Sequence, residues 1–92
     1  MNLNIKDPQA RIDHAIDWSA YLAGQSIVAS QWSVSPQEAG GVTIVLATYE
    51  PQRSSARLEG GMAGRLYRVT NRVTLSDGQV DERSIIFRVE ER

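Results

Sequence analysis

Cysteine is absent from the 92-residue chain, which removes disulfide frameworks, thiolate zinc sites, iron–sulfur clusters and cysteine nucleophiles together. Folding therefore rests on packing alone. Histidine occurs once, so a histidine-rich metal centre is out of reach. The chain has no excess of positive charge: its formal net charge is −1, and the basic stripe that nucleic acid requires is missing. Long apolar runs are missing too. The best, Val42 to Ala47, is short and contains a threonine, against about 18 residues for a membrane span. The opening MNLNIKDPQARID lacks a basic segment leading into an apolar run, so no secretory signal is expected.

What remains is ordinary soluble composition, 41% hydrophobic and 23% charged, on a chain long enough for one domain. So short a chain needs most of its bulky apolar side chains for the core, and little is left to line a deep cleft. Charge is unevenly placed. Before Ala47 the bases Lys6 and Arg11 face Asp7, Asp13, Asp17 and Glu38; afterwards every basic side chain is arginine. Arginine is the residue of paired and interfacial charge, because its planar fork meets a carboxylate with two parallel bonds. Such a distribution fits either a solvated sheet face laced with salt bridges or a partner surface.

Short alternating runs separated by turn residues at intervals near ten point to an all-β sandwich or barrel. Residues 1–9 are polar, carry Pro8 and read as an extended N-terminal arm that docks late or not at all. Residues 10–92 form a single domain. Ile12, His14, Ile16 and Trp18 share one parity, so Ile12 to Leu22 reads as a strand, with a helix over Asp13 to Leu22 as its competitor. Ile27 to Val34 follows, placing Val28, Ser30, Trp32 and Val34 on one face, and Pro36 stops it. Val42 to Tyr49 is apolar on both faces, as a central strand would be. Gln52 to Ser55 turn the chain into a short strand, Ala56 to Glu59, ahead of Gly60, Gly61 and Gly64.

The last third has the clearest pattern. Tyr67, Val69, Val73 and Leu75 alternate with polar residues, as do Ile85, Phe87 and Val89 beyond a turn. A two-residue Asp77-Gly78 loop would send Phe87 to solvent. A three-residue loop, Ser76-Asp77-Gly78 with Gly78 left-handed, instead sets Val69 opposite Ile85, Tyr67 opposite Phe87 and Arg72 beside Glu82. Ile86 is left exposed. Tyr67, entering its strand from a glycine-rich corner two residues before buried Val69, is laid out as a tyrosine corner, with Trp32 as a core ring. The fold expected is an immunoglobulin-like antiparallel β-sandwich of about seven strands.

Candidate chemistry is thin. A nucleophile–base arrangement would need His14 with Asp13 or Asp17, and Asp17 shares its face only on a helix. Asp77, Asp81 and Glu82 lack the spacing of a calcium loop. Gly60, Gly61 and Gly64 precede a strand, whereas a phosphate cradle needs a following helix. Once Trp32 and Tyr67 are assigned to the core, Trp18, Tyr21 and Tyr49 are the rings left for a sugar-stacking platform, and a carbohydrate-binding β-sandwich module is the alternative function.

Lys6-Asp7-Pro8, Ile16-Asp17-Trp18-Ser19 with Leu22, Ile27 with Ser30 and Trp32, Gly60-Gly61, Gly64, Tyr67, the stretch Val69 to Thr74, and Arg83-Ser84-Ile85 with Phe87-Arg88-Val89 together carry a resemblance. The chain resembles small bacteriophage and prophage fiber-tail adaptor, or neck and tail accessory, proteins over nearly its whole length. That resemblance implies a non-enzymatic virion or virion-assembly protein with an immunoglobulin-like fold; the opening residues point to synthesis in the bacterial cytoplasm, and the residue inventory calls for no cofactor or metal. Its partners would be other virion or tail proteins, with homo-oligomers as an option, and neither nucleic acid nor membrane. A wet sheet face rich in arginine and threonine suits such contacts, and Arg68, Arg72 and Arg88 are the residues expected to carry them.

Overall fold

A computed structural model describes residues 3–91. Seven strands run in chain order: β1 Leu3–Lys6, β2 Ile12–Asp17, β3 Ile27–Ser35, β4 Val42–Glu50, β5 Arg53–Gly60, β6 Leu66–Leu75 and β7 Val80–Val89, with one 3-10 turn, Ser19–Tyr21, after β2. They form two sheets, β1-β7-β6-β3 and β2-β5-β4. Every pairing is antiparallel except β1 with β7, which is parallel. This is an all-β immunoglobulin-like sandwich, and its inner faces meet in a core where Leu58, Tyr67, Val69, Val73 and Val89 are fully buried.

The β6–β7 hairpin has the register expected from the alternation. Val69 lies opposite Ile85, Tyr67 opposite Phe87 and Arg72 opposite Glu82. Leu75 and Gln79 close the loop, the Gly78 amide donates to the Leu75 carbonyl at 2.9 Å, and Gly78 has φ 91°. Only glycine takes that conformation freely. Ile86 is half-buried rather than exposed, because β1 runs alongside it. The tyrosine corner is present: the Met62 amide donates to the Tyr67 hydroxyl at 3.1 Å, and the hydroxyl donates to Glu38 Oε1 at 2.8 Å.

Several elements depart from the sequence reading. The arm expected over residues 1–9 is extended, yet from Leu3 to Lys6 it is a sheet strand; residues 1 and 2 lie outside the described residues. Lys6 locks it down. The side chain is buried, and its ammonium donates to the carbonyls of Asp7, Ala10 and Gly60 at 2.9, 2.6 and 2.7 Å. Three acceptors match the three N–H bonds of an ammonium, which is how a buried charge is tolerated.

The strand expected over Ile12 to Leu22 ends at Asp17, because Trp18 turns inward and the chain tightens into the 3-10 turn behind it. Trp18, 1% exposed, is the large core indole; Trp32 is only partly buried. Val28 is an extra residue between the pairs Ile27–Leu75 and Ala29–Thr74, and this bulge throws it into solvent while Ser30, Trp32 and Val34 face inward. The turn expected over Gln52 to Ser55 is shorter: Glu50 pairs with Arg53 across Pro51-Gln52, so β5 begins at Arg53. Finally, β4 is an edge strand rather than a central one.

A polar cluster ties the sheets together. Asn71 on β6 accepts through Oδ1 from Trp18 Nε1 at 3.1 Å and from Ser54 Oγ at 2.5 Å. Its amide donates to Ser30 Oγ at 2.9 Å and to the Gln31 carbonyl at 3.1 Å. The indole also donates to Ser54 Oγ at 3.0 Å. All of Asn71's bonding capacity is used, as a fully buried amide requires.

Candidate partner interface

Alternation along β6 and β7 turns even-numbered side chains outward, and register decides who stands beside whom. On the outer face of the four-stranded sheet one rung reads Ile5, Arg88, Leu66. The next sets Ile86 beside Arg68, with Ser35 beyond. Then come Ser84, Thr70 and Ser33, and last Glu82, Arg72 and Gln31. The structure thus places all three predicted arginines, exposed, on one face. It does not gather them into one cluster: Arg68 and Arg88 sit diagonally across one end, while Arg72 lies four residues, about 13 Å, along β6 from Arg68.

Their partners differ as well. Arg72 approaches Glu82 at 3.8 Å and Arg88 approaches Glu90 at 3.7 Å, each pair half exposed. Such pairs hold little energy and are readily exchanged for others. Arg68 has no ion pair among the described residues. Around Arg68 and Arg88 lie apolar side chains that the alternation pattern alone did not single out: Ile5 is 48% and Leu66 51% exposed. Guanidinium groups here stand among exposed aliphatic side chains.

The shorter ion pairs are on the other face. On the outer side of the three-stranded sheet Arg57 Nε meets Asp13 at 2.8 Å and Arg11 Nε meets Glu59 at 2.6 Å. The bond from Arg57 holds the Asp13 carboxyl below the usual aspartate range and, in return, raises the arginine. Asp17 is lowered by bonds from Ser19. These charges are matched among themselves.

The remaining candidates disperse. The His14 imidazole lies edge-on to Phe87, 5.9 Å between centroids at 88°. Burial lowers its pKa below the ordinary histidine value, and Arg83 pushes the same way. Asp13 and Asp17 bond Arg57 and Ser19 rather than the imidazole. Gly60 and Gly61 are packing residues. A β-carbon on Gly61 would stand 2.6 Å from Val89 Cγ2, and one on Gly60 would stand 2.7 Å from the Gly41 carbonyl oxygen. Among the described residues no three histidine or acidic side chains could hold a metal ion, and no helix is long and apolar enough to cross a membrane. The spare rings do not share a platform. Tyr21 packs on Trp18 under Arg83 of β7, whereas Tyr49 donates to the Val28 carbonyl on the opposite flank.

A family model described as "Podophage GP4 fiber-tail adaptor protein gp77" matches residues 6–88. The match begins at the buried lysine clasp and ends within β7. Among solved structures the chain is similar to a PKD domain, "Solution structure of the PKD domain from KIAA 1837 protein". The identity is 16%, the TM-score 0.58, and the alignment covers 100% of this chain and 83% of that one. At that identity the likeness concerns the fold. No curated protein sequence matches the chain.

Proposed function

We propose, from the premise that the chain belongs to the podophage GP4 fiber-tail adaptor family, that it is a non-enzymatic virion protein. In this reading it is made in the bacterial cytoplasm and joins other tail proteins by direct contact. The observation carrying this reading is the outer face of the four-stranded sheet. There Arg68 and Arg88 flank Ile5, Leu66 and Ile86, and their guanidinium groups are unpaired or weakly paired. A partner supplying carboxylates beside small apolar side chains would complete that face. The second arginine site, Arg72, holds Glu82 loosely enough to exchange it for a partner's carboxylate. Self-assembly would multiply one modest contact into a durable one.

The test is incorporation into particles. Tails assembled in cells expressing the Arg68→Ala, Arg72→Ala, Arg88→Ala triple variant are purified and the chain is quantified by mass spectrometry. Because all three side chains are exposed, the variant's thermal midpoint should stay close to that of the parent while incorporation falls at least about tenfold, the loss of roughly one charge-assisted contact. Parental incorporation of a folded triple variant would show that this face is not the interface.

A further inference from the structure

Arg83 stands at an unusual place in β7. It shares the inward parity of Ile85, Phe87 and Val89, opposite the buried Asn71 of β6, yet it lies beyond the stretch that β1 covers. The side chain is exposed and belongs to none of the ion pairs among the described residues. Acids near it in the sheets are engaged elsewhere. Asp81 accepts from the Glu82 amide at 2.8 Å, Glu82 faces Arg72 on the outer side of the sheet, and Asp17 is held by Ser19 and by the charge of Arg53.

Two aromatic rings hold the guanidinium instead. Its Cζ lies 5.4 Å from the Tyr21 ring centroid and 5.9 Å from that of Trp18, within the reach of cation–π attraction. The rings form a corner, with centroids 6.2 Å apart and planes crossing at 74°. Local structure builds it. The 3-10 turn, closed by the Tyr21 amide on the Trp18 carbonyl at 2.8 Å, brings residues three apart to the same side. The indole is fixed from behind, because its N–H donates to Ser54 and Asn71. Arg83 is therefore positioned in advance at the surface, and the rings attract the cation without neutralising its charge. Tryptophan, tyrosine and arginine are also the residue types that dominate binding energy at protein contacts.

We infer that Arg83, in the corner of Trp18 and Tyr21, receives the carboxylate of an aspartate or glutamate from a neighbouring tail protein. The planar fork of arginine meets a carboxylate through two parallel bonds, and the rings have already restricted a side chain that binding would otherwise have to order. A protein side chain fits better than a free anion. No second cation shares the corner: Arg72 and Arg88 have outward parity, Lys6 is buried beside Val89, and burial together with Arg83 keeps His14 toward its neutral form. One guanidinium holds a small ion weakly, whereas a docking chain also covers Tyr21, which is 56% exposed. The inference rests on the reading of the chain as a tail adaptor, and it adds a contact on the opposite face of β7 from Arg88.

The parent and its Arg83 variants are compared for incorporation into purified tails. Arg83→Met keeps an unbranched side chain over the rings and removes the fork. Incorporation should fall at least about tenfold, with a thermal midpoint close to the parent's. Arg83→Lys, which keeps the charge without the fork, should recover only part of the loss. Photo-activated p-benzoylphenylalanine in place of Tyr21 should join, in purified particles, a peptide of another tail protein that carries an aspartate or glutamate beside the join. Arg83→Glu combined with replacement of that acid by arginine should restore incorporation, and this exchange decides should Arg83→Met fail to fold. With the parent present in tails, parental incorporation of folded Arg83→Met, a join to a second copy of this chain, a joined peptide without an acid, or no rescue by the exchange would each overturn this inference alone. Absence of the parent from tails would overturn the adaptor reading and this inference with it.

Discussion

Replacing Asn71 with alanine should cost more stability than almost any other polar substitution in this chain. The side chain makes four hydrogen bonds inside the sandwich: two accepted from Trp18 and Ser54 across the sheets, two donated to Ser30 and Gln31 on the neighbouring strand. Alanine removes all four. It leaves the Ser54 and Ser30 hydroxyls and the Gln31 carbonyl each short of a partner, Ser54 being fully buried. At about 1 kcal/mol per bond, with a further penalty for buried groups left unmade, the loss is about 3–5 kcal/mol. A domain of this length holds about 5–14 kcal/mol in total, so between about a fifth and all of the stability goes. At about 1–2 kcal/mol per molar urea, the unfolding midpoint followed by tryptophan fluorescence should fall by about 1.5–5 M. Ser54→Ala removes one arm of the same cluster, so the double variant should lose at least about 1 kcal/mol less than the two single losses added. A loss below about 1 kcal/mol for Asn71→Ala, or strict additivity with Ser54→Ala, would refute the idea that the cluster acts as one unit.

Two further outcomes are expected. Lys6→Met leaves three carbonyls without their ammonium; the cost of about 2–4 kcal/mol should lower the thermal midpoint by at least about 10 °C, and hydrogen exchange should quicken first in β1, whose parallel pairing with β7 ends at this lysine. An unshifted midpoint would mean the lysine is not a clasp. His14 is held below its ordinary pKa by burial and by Arg83. The unfolded chain therefore takes up the proton first as pH falls, and the stability present above about pH 6.5 is lost as pH drops from there through the folded value. Thermal midpoints at about pH 7.5 and 5.5 should differ more for the parent than for His14→Gln; equal differences would show that another group titrates.

Legibility followed the range of the interactions. The β6–β7 hairpin could be aligned to the residue because its two halves are close in sequence, and a slip of one would have turned Phe87 outward. Tyr67 was recognisable because its hydroxyl meets the backbone only five residues upstream. Asn71 broke the alternation of its own strand, an inward position holding a polar residue. Its reason was invisible locally, since its acceptor and donor partners lie 17 to 53 residues away in the chain. Trp18 and Trp32 had the same parity credentials, and only the approach of Ser54 and Asn71 made Trp18 the buried one. The arginine face was half legible: parity placed Arg68, Arg72 and Arg88 together, but Ile5 and Leu66 became their neighbours through β1 docking and the hairpin register.

By itself, then, the chain determined an all-β architecture and which side chains of most strands share a face. Folding in three dimensions decided which strands have neighbours. A period of two records whether a side chain is wanted inside, and it is silent about whether the backbone beside it is paired. For that reason β4 could read as a strand flanked on both sides while standing at an edge, and Lys6 could read as part of a solvated arm while holding three carbonyls in the interior.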